Sequence, residues 1–334
     1  MAHEVESMFS VRETPWHKLG AILDNPPTSA EAIHDAGLAW EVAREPLFLA
    51  DGRTVERFAN VRATDRAILG TVGPDYTLLQ NAEAFSWFDP ILESGEATLE
   101  TAGSLRGGCV VWVLARIGDP LVIVPKADDV VEKYVLLSNS HDGTKAVRVG
   151  YTPTRVVCAN TLAIAHGDTG SALLRVRHTA GMKSTLDAVR NTMAVAHARF
   201  EATAEQYRAL AARQVNPSDL AKYVAHVFEA PPPKEDLLSF AKRAAGEAKE
   251  SRSESYARER SERVEALFVG GKGNAAPGVR GTWWAAYNAV TEYLGNDRPR
   301  GGTAESRLES LALGGSAAAT STRALGRAVD LATA

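Results

Sequence analysis

The pattern of apolar and polar residues is most informative between Tyr134 and Thr161, where short Val-rich segments alternate with turn residues. Such segments predict β-strands. The pair Asp142-Gly143 predicts a tight hairpin turn, because Gly adopts positive φ without a steric penalty. We therefore expect two strands joined at 140–143, a break at Thr152-Pro153, a third strand, and a helix that starts near Asn160.

The residues before this hairpin predict short helices among further strands. Thr28 and Glu31 have the spacing of a capping box, which indicates a helix from Ala30 to Ala36. Asn81 is expected to cap a second helix, from Ala82 to Leu92, whose apolar residues recur at helical spacing. Two strands are expected next, at Ala97–Leu105 and Cys109–Ile117, joined by a turn at 106–108.

The residues after the hairpin are predicted to be mostly helical. A segment without Pro or Gly from Thr185 to Arg213 predicts one long helix, and Asn216-Pro217 has the pattern of a helix start. The segment Thr282–Leu294 is interpreted as an amphipathic aromatic helix. The other predicted helices are Ser218–Phe228, Pro233–Glu250 and Ser255–Phe268, and the tail from Thr303 is expected to be either a last helix or partly disordered.

These elements predict an α+β fold in which an antiparallel β-sheet core with packed helices is followed by an all-helical C-terminal domain. We expect the α+β core domain to span residues 1–214 and the helical domain to span residues 215–334. The 334 residues are sufficient for two domains of ordinary size.

Composition narrows the class of protein. The hydrophobic fraction of 45% and the charged fraction of 23% are those of an ordinary globular protein. No apolar segment is long enough to cross a membrane, and the N-terminus lacks the pattern of a signal peptide. Cys109 and Cys158 lie in apolar segments, which favours buried thiols in a reducing compartment. We expect a cytoplasmic protein without membrane contact.

The net charge of −4 conceals an uneven distribution. Residues 1–100 hold 7 Lys and Arg against 17 Asp and Glu, whereas residues 101–213 hold 14 against 9. This asymmetry predicts a basic face on an otherwise acidic protein. The basic face binds a polyanion, or it docks on the acidic N-terminal third; the sequence leaves both interpretations open.

If the basic face binds DNA, its strands supply the phosphate contacts, and single-stranded DNA is the expected partner. Tyr151 is a candidate for stacking on a base. The candidate phosphate-binding residues are Lys133, Lys145, Arg148, Arg155, Arg175 and Arg177.

Catalytic motifs are absent from the sequence, which contains no GxSxG, HExxH, Walker A or GxGxxG pattern after a strand. No cofactor or metal is therefore expected. An enzyme with an unrecognised acid–base site at His141, Asp142 and His178 remains an alternative, although a simple turn accounts for the first two residues.

Several stretches together resemble the phage/plasmid-like protein family, which is a domain of unknown function, number 932. The resemblance covers nearly the whole chain and implies an origin in a phage, prophage or plasmid, but the family provides no catalytic residues to carry over. The stretches are Gly70–Leu92, Leu99–Gly108, Leu136–Leu162, Arg175–Thr179 and Gly281–Leu294.

A second resemblance is to phage single-strand annealing recombinases of the Redβ, RecT and Erf type. It depends on the predicted order of elements from Ala82 onward, which is a helix, four strands up to Gly150, and then a second helix. It implies binding of single-stranded DNA along a basic groove in a homo-oligomer, in recombination or replication. The alternative is a structural or interaction protein that assembles through Thr185–Arg213 and Trp283–Leu294 without nucleic acid.

Overall fold

A computed structural model describes residues 5–11, 20–155, 160–161, 173–191, 193–228, 252–297, 310 and 315–333. The β-strands are β1 (Val5–Val11), β2 (Ala21–Leu23), β3 (Val42–Phe48), β4 (Thr54–Arg62), β5 (Ile68–Val72), β6 (Ala97–Leu105), β7 (Val110–Ile117), β8 (Leu121–Val124), β9 (Asp129–Ser140), β10 (Val147–Arg155), β11 (Asn160–Thr161) and β12 (Leu173–Val176).

The helices in chain order are α1 (Ser29–Asp35), α2 (Asn81–Ser86), α3 (Asp89–Glu93), α4 (Met182–Asn191), α5 (Met193–Ala211), α6 (Pro217–Val227), α7 (Arg252–Gly270), α8 (Trp283–Glu292) and α9 (Ser316–Thr333). A short 3-10 turn spans Pro125–Ala127, and a π turn at Tyr293–Asp297 follows α8 directly. None of the described helices is both long and apolar enough to cross a bilayer.

Two sheets organise the β-part of the described residues. The larger sheet has the strand order β11-β10-β9-β7-β6-β1-β2, with β12 pairing to β10 and β8 pairing to β9. All of its pairs are antiparallel except β1 with β2. The smaller sheet is an antiparallel meander of β3, β4 and β5.

The larger sheet has two different faces, because successive side chains of a strand point to opposite sides. On β9, Val131, Val135 and Leu137 join the main hydrophobic core, whereas Leu136 belongs to a small separate cluster with Leu105. The main core continues into α5, α6, α8 and α9. We call the face with the main core the inner face, and the face with the small cluster the outer face.

Helix α8 lies at the centre of the core, and every one of its ten residues is buried. Trp284 Nε1 donates a hydrogen bond of 2.8 Å to the Asp129 carboxylate at the start of β9. Tyr207 of α5 packs against Trp284 with ring centroids 4.7 Å apart. The helix is therefore buried on all sides, its polar residues Thr291 and Glu292 included, and it is not the assembly surface that the sequence suggested.

Several local predictions are confirmed. The hairpin of β9 and β10 turns at Asp142-Gly143, where Gly143 has φ of +73°. Thr28 and Glu31 form the predicted capping box of α1, with a bond of 2.9 Å from the Thr28 N–H to the Glu31 carboxylate. The predicted strand Ala97–Leu105 is β6.

Three other predictions are wrong in detail. Strand β10 passes through Pro153 without a break. Pro153 pairs with β9 on one side, and on the other side it lies between the residues paired with β12 and those paired with β11, where no described strand requires an N–H. Asn160 lies in strand β11 rather than at a helix start. The helix predicted at 82–92 is two helices, and Pro90, which has no N–H to donate, occupies the first turn of the second.

The mixed α/β fold with a large, mostly antiparallel sheet is confirmed, and the described residues after 215 are helical or in connecting turns. The long helix predicted at 185–213 corresponds to α4 and α5, on either side of Thr192, which lies outside the described residues. The predicted helix Pro233–Glu250 and nearly all of the one from Thr303 also lie outside them. The boundary at 214 stays a prediction, although one core contains side chains from both sides of it.

We predict that Trp284→Phe destabilises the protein more than Trp283→Phe does. Both changes remove the same indole volume from α8, but only the first leaves the buried Asp129 carboxylate without its indole donor. Loss of a partner by a buried polar group costs about 1–3 kcal/mol. Urea unfolding of the two variants measures the difference, and equal losses would show that this bond does not stabilise the fold.

Candidate nucleic-acid interface

Two arginines face each other on the outer face of the large sheet. Arg148 of β10 is directly opposite Arg175 of β12, and Ser138 of β9 is opposite Arg148 on the other side. Directly opposite side chains have Cβ atoms about 4.5–5.5 Å apart, and like charges in such a pair are destabilising. The pair is therefore unfavourable unless an anion lies near both guanidinium groups.

The surroundings of Arg148 increase this cost. Its side chain is half-buried, and its buried Nε has no hydrogen-bond partner. Burial, together with the charge of Arg175, lowers the pKa of Arg148 from its usual value. Within the described part of the chain, no carboxylate forms an ion pair with Arg148 or Arg175. Arg148 thus lacks the partner that a half-buried arginine normally has, and the exposed Arg175 opposite it supplies only a second positive charge.

Lys145 and Arg177 lie next to this pair, at the end of the sheet where the hairpin turns. They line a cleft of about 440 Å³ between the loop at 73–76, the turn at 143–146 and residues 177–179. Asp75 lines the same cleft, so its charge is not uniformly positive. The structure therefore brings four of the predicted phosphate contacts, namely Lys145, Arg148, Arg175 and Arg177, to one end of the β10–β12 edge.

Three predicted site residues do not join this group. Lys133 is 6% exposed and lies opposite Pro153, with the parity of the inner face. Tyr151 also has inner-face parity and packs edge-on against Phe200, with ring centroids 5.3 Å apart. Arg155 ends β10, but its side chain lies outside the described residues. Lys133 and Tyr151 are thus separated from Arg148 by the sheet itself.

The alternative interpretation was that basic residues dock on the acidic N-terminal third of the chain. This contact is made by a basic residue outside the predicted site. Lys183 of α4 forms an ion pair with Glu83 of α2. Arg190, on the same helix, bonds Asp187 at 3.0 Å and the Trp87 carbonyl at 3.3 Å. Internal pairing therefore accounts for these basic residues of α4 but not for Arg148 and Arg175.

Buried polar side chains hold the hairpin tip in place. Asn60 of β4 donates to the His141 carbonyl at 2.6 Å, and the Tyr76 hydroxyl donates to the Ser140 carbonyl at 2.7 Å. Asn81 was expected to cap α2, but Gln80 occupies that position, and Asn81 is fully buried and contacts His141. These contacts fix the turn from which β10 and its basic residues start.

His141 is neutral within this network. Asn81 Nδ2 donates to the Leu38 carbonyl, so Asn81 Oδ1 accepts from His141 Nε2 at 2.9 Å. The other ring nitrogen, Nδ1, is buried without a partner, and a proton there would have no acceptor. Burial, with a contribution from His178, lowers the pKa of His141 to about 4.

The catalytic alternative at His141, Asp142 and His178 is not supported by this geometry. His141 is 0% exposed, so it cannot meet a substrate. Ser140 and Thr144 hold the Asp142 carboxylate in the turn. His178 stacks on Tyr76 with ring centroids 4.3 Å apart, and its Nδ1 lies 3.0 Å from the Thr77 carbonyl. Among the residues that the structure describes, no cluster of His, Cys, Asp or Glu could hold a metal ion.

Sequence reasoning did not identify Trp112 of β7, which lies on the same cross-strand row as the arginines. Trp112 is opposite Ser138, which is opposite Arg148, which is opposite Arg175. In the sequence, Trp112 lies between Val111 and Val113, and the residues that point to either face of β7 are apolar. That pattern does not indicate which face is outward.

We predict that Gly70→Ala displaces the hairpin tip. A Cβ at Gly70 of β5 would lie 2.5 Å from the Asp142 Cα, and backbone cannot move aside as a flexible side chain can. Such overpacking costs about 1–3 kcal/mol. The matched control is Gly73→Ala, which meets nothing within 4 Å. Urea unfolding should show a loss for the first variant only; equal stabilities would contradict the close approach.

We predict that the protein loses stability as the pH falls from 6.5 towards 4. The folded pKa of His141 is below its usual 6.5, so the unfolded chain binds a proton in this window that the folded chain does not. Stability is complete above pH 6.5 and falls by on the order of 3 kcal/mol by pH 4. His178, whose pKa is also lowered by burial, adds to the loss.

Urea unfolding at several pH values, for the native protein and His141→Gln, measures this effect. The variant keeps a side chain that can donate to Asn81 but does not titrate, so its stability should depend less on pH. Identical pH dependence for the two proteins would exclude His141 as the source.

Comparison with known proteins identifies a family but no function. A search of curated proteins and a search of solved structures each found no significant match. The family described as a domain of unknown function (DUF932) matches residues 68–329, which is more than three quarters of the chain and includes β5 to β12 and most of α9. The chain therefore belongs to the DUF932 family.

Proposed function

We propose that this protein binds single-stranded DNA on the outer face of its large sheet, through Lys145, Arg148, Arg175 and Arg177. The observation that carries the proposal is the cross-strand pair of Arg148 and Arg175, which has no carboxylate partner among the described residues. A phosphate near both guanidinium groups would replace their repulsion by charge-assisted hydrogen bonds.

The form of the surface favours a nucleic-acid strand over a single small anion. The arginine pair and the cleft residues Lys145 and Arg177 follow one edge of the sheet, so successive phosphates can meet successive cations. On the same outer face, the half-buried side chains of Trp112 and Leu114 add partly exposed apolar surface. Basic groups beside apolar surface suit a strand whose bases are unpaired.

A wider form of the proposal concerns the biological role. Single-strand annealing or recombination on a phage or plasmid genome, by a cytoplasmic homo-oligomer, would use such a surface. This role rests on the order of α2, α3, the strands from β6 to β10, and the following helix α4, and it depends on DNA binding being present.

We predict that the double variant Arg148→Glu/Arg175→Glu binds a fluorescein-labelled oligothymidylate much more weakly than the native protein. Loss of two phosphate contacts should also reduce the steepness of log K against log salt by about 1.4, which is 0.7 for each contact. Fluorescence anisotropy at several salt concentrations measures both quantities.

The matched control is Arg280→Glu, which reverses one exposed charge in the loop before α8, where no ion pair is formed with any described residue. This variant should keep the native salt dependence. Binding by the double variant that equals that of Arg280→Glu would remove the arginine pair from the interface. An absence of binding by the native protein at low salt would overturn the proposed function.

A further inference from the structure

The outer face contains an aromatic residue in line with the arginine pair. Arg175, Arg148, Ser138, Trp112, Gly103 and Met8 are successive partners across β12, β10, β9, β7, β6 and β1. Neighbouring strands are about 4.8 Å apart, so Trp112 lies two strands, or roughly 10 Å, from Arg148.

The residues directly opposite Trp112 on the two neighbouring strands, Ser138 and Gly103, are both small. Ser138, between Trp112 and Arg148, has a small side chain that is 4% exposed. On the other side, a Cβ on Gly103 would lie 2.6 Å from the outer ring carbon Cη2 of Trp112. The absence of a side chain at Gly103 thus allows the indole to lie against the backbone of β6.

Trp112 differs from the other tryptophans of the described core. Trp40, Trp87, Trp283 and Trp284 are each 7% exposed or less. Trp112 is half-buried, and its indole N–H bonds no acceptor in the described part of the chain. It packs against the small cluster of Leu105, Val110 and Leu136. Part of a rigid aromatic surface is therefore available on the face that has the unpaired arginines.

We infer that Trp112 is a stacking platform for a base of single-stranded nucleic acid whose phosphates lie at Arg148 and Arg175. This inference rests on the proposed function and assigns to Trp112 the stacking role that was predicted for Tyr151, which lies on the inner face. Stacking tolerates any base, because every base has a π face, whereas the arginines contact only phosphate. The ligand is thus a flexible strand with exposed bases.

The test uses two labelled strands of equal length and equal phosphate number, an oligothymidylate and its abasic tetrahydrofuran analogue. For Trp112→Ala we expect an affinity loss of about 10- to 100-fold on the oligothymidylate, an unchanged salt dependence, and no loss on the abasic strand. Trp112→Phe should recover most of the affinity.

Leu114→Ala is the matched control, because Leu114 is the next outer-face residue of β7 and is also half-buried. A loss for Leu114→Ala equal to that for Trp112→Ala would overturn the inference, since it would indicate a general effect of altered packing. Quenching of intrinsic fluorescence by the oligothymidylate is a second measurement that does not require the Ala variant to fold. Native protein should be quenched more than Trp112→Phe, and equal quenching would overturn the inference.

The outcomes separate this inference from the proposed function. If Trp112→Ala and the native protein bind the oligothymidylate equally while Arg148→Glu/Arg175→Glu does not bind, the stacking role is excluded and the phosphate-binding role remains. If the native protein binds neither strand at low salt, both are excluded.

Discussion

The two faces of β9 and β10 meet different surroundings, and this constraint determines the rest of the structure. Val131, Val135 and Leu137 face the helices, because they share one hydrophobic core with the aromatic residues of α8 and with apolar residues of its neighbours. The alternation of a strand then places Ser138 and Arg148 on the opposite side. Burial of the inner face thus determines which basic residues reach the outer one.

The two ends of β9 are held by polar contacts within the apolar core. At its start, Asp129 accepts the indole hydrogen bond of Trp284, which fixes α8 against the sheet. At its end, Asn139 donates to the Leu79 carbonyl at 2.9 Å. Asn60 donates to the carbonyl of His141, the first residue after β9. Buried groups of this kind are costly when unpaired, so each restricts the alignment of its neighbours. The turn, and the basic edge that follows it, are therefore held in one position.

Much of the β-structure could be predicted from local patterns. The hairpin at Asp142-Gly143 and the strand Ala97–Leu105 follow from turn chemistry and apolar spacing, which act within a few residues. The burial of α8 on all sides was not predicted, because the segment was interpreted as amphipathic, whereas tertiary contacts cover polar residues such as Thr291 and Glu292. Contacts between distant segments, such as Asn60 with His141, leave no local signal.

The candidate site was predicted in part. Parity along a strand separates Arg148 from Tyr151, and this separation could have been read from the sequence once both were placed on one strand. The pairing of Arg148 with Arg175 could not have been read from the sequence, because it depends on the register between β10 and β12, which are not consecutive in the chain. Trp112 was missed for the same reason, since its relation to the arginines passes through three strand pairings.

The account depends most directly on Arg148 and Arg175 meeting phosphate at the same time. The Nε–Hε resonances of arginine, observed by nuclear magnetic resonance during titration with oligothymidylate, report on this contact at individual side chains. We expect the resonances of Arg148 and Arg175 to shift together as the strand saturates, while that of Arg280 stays in place. The account would be contradicted if binding shifted the resonance of Arg280 or of arginines in the C-terminal helices but left that of Arg148 unchanged.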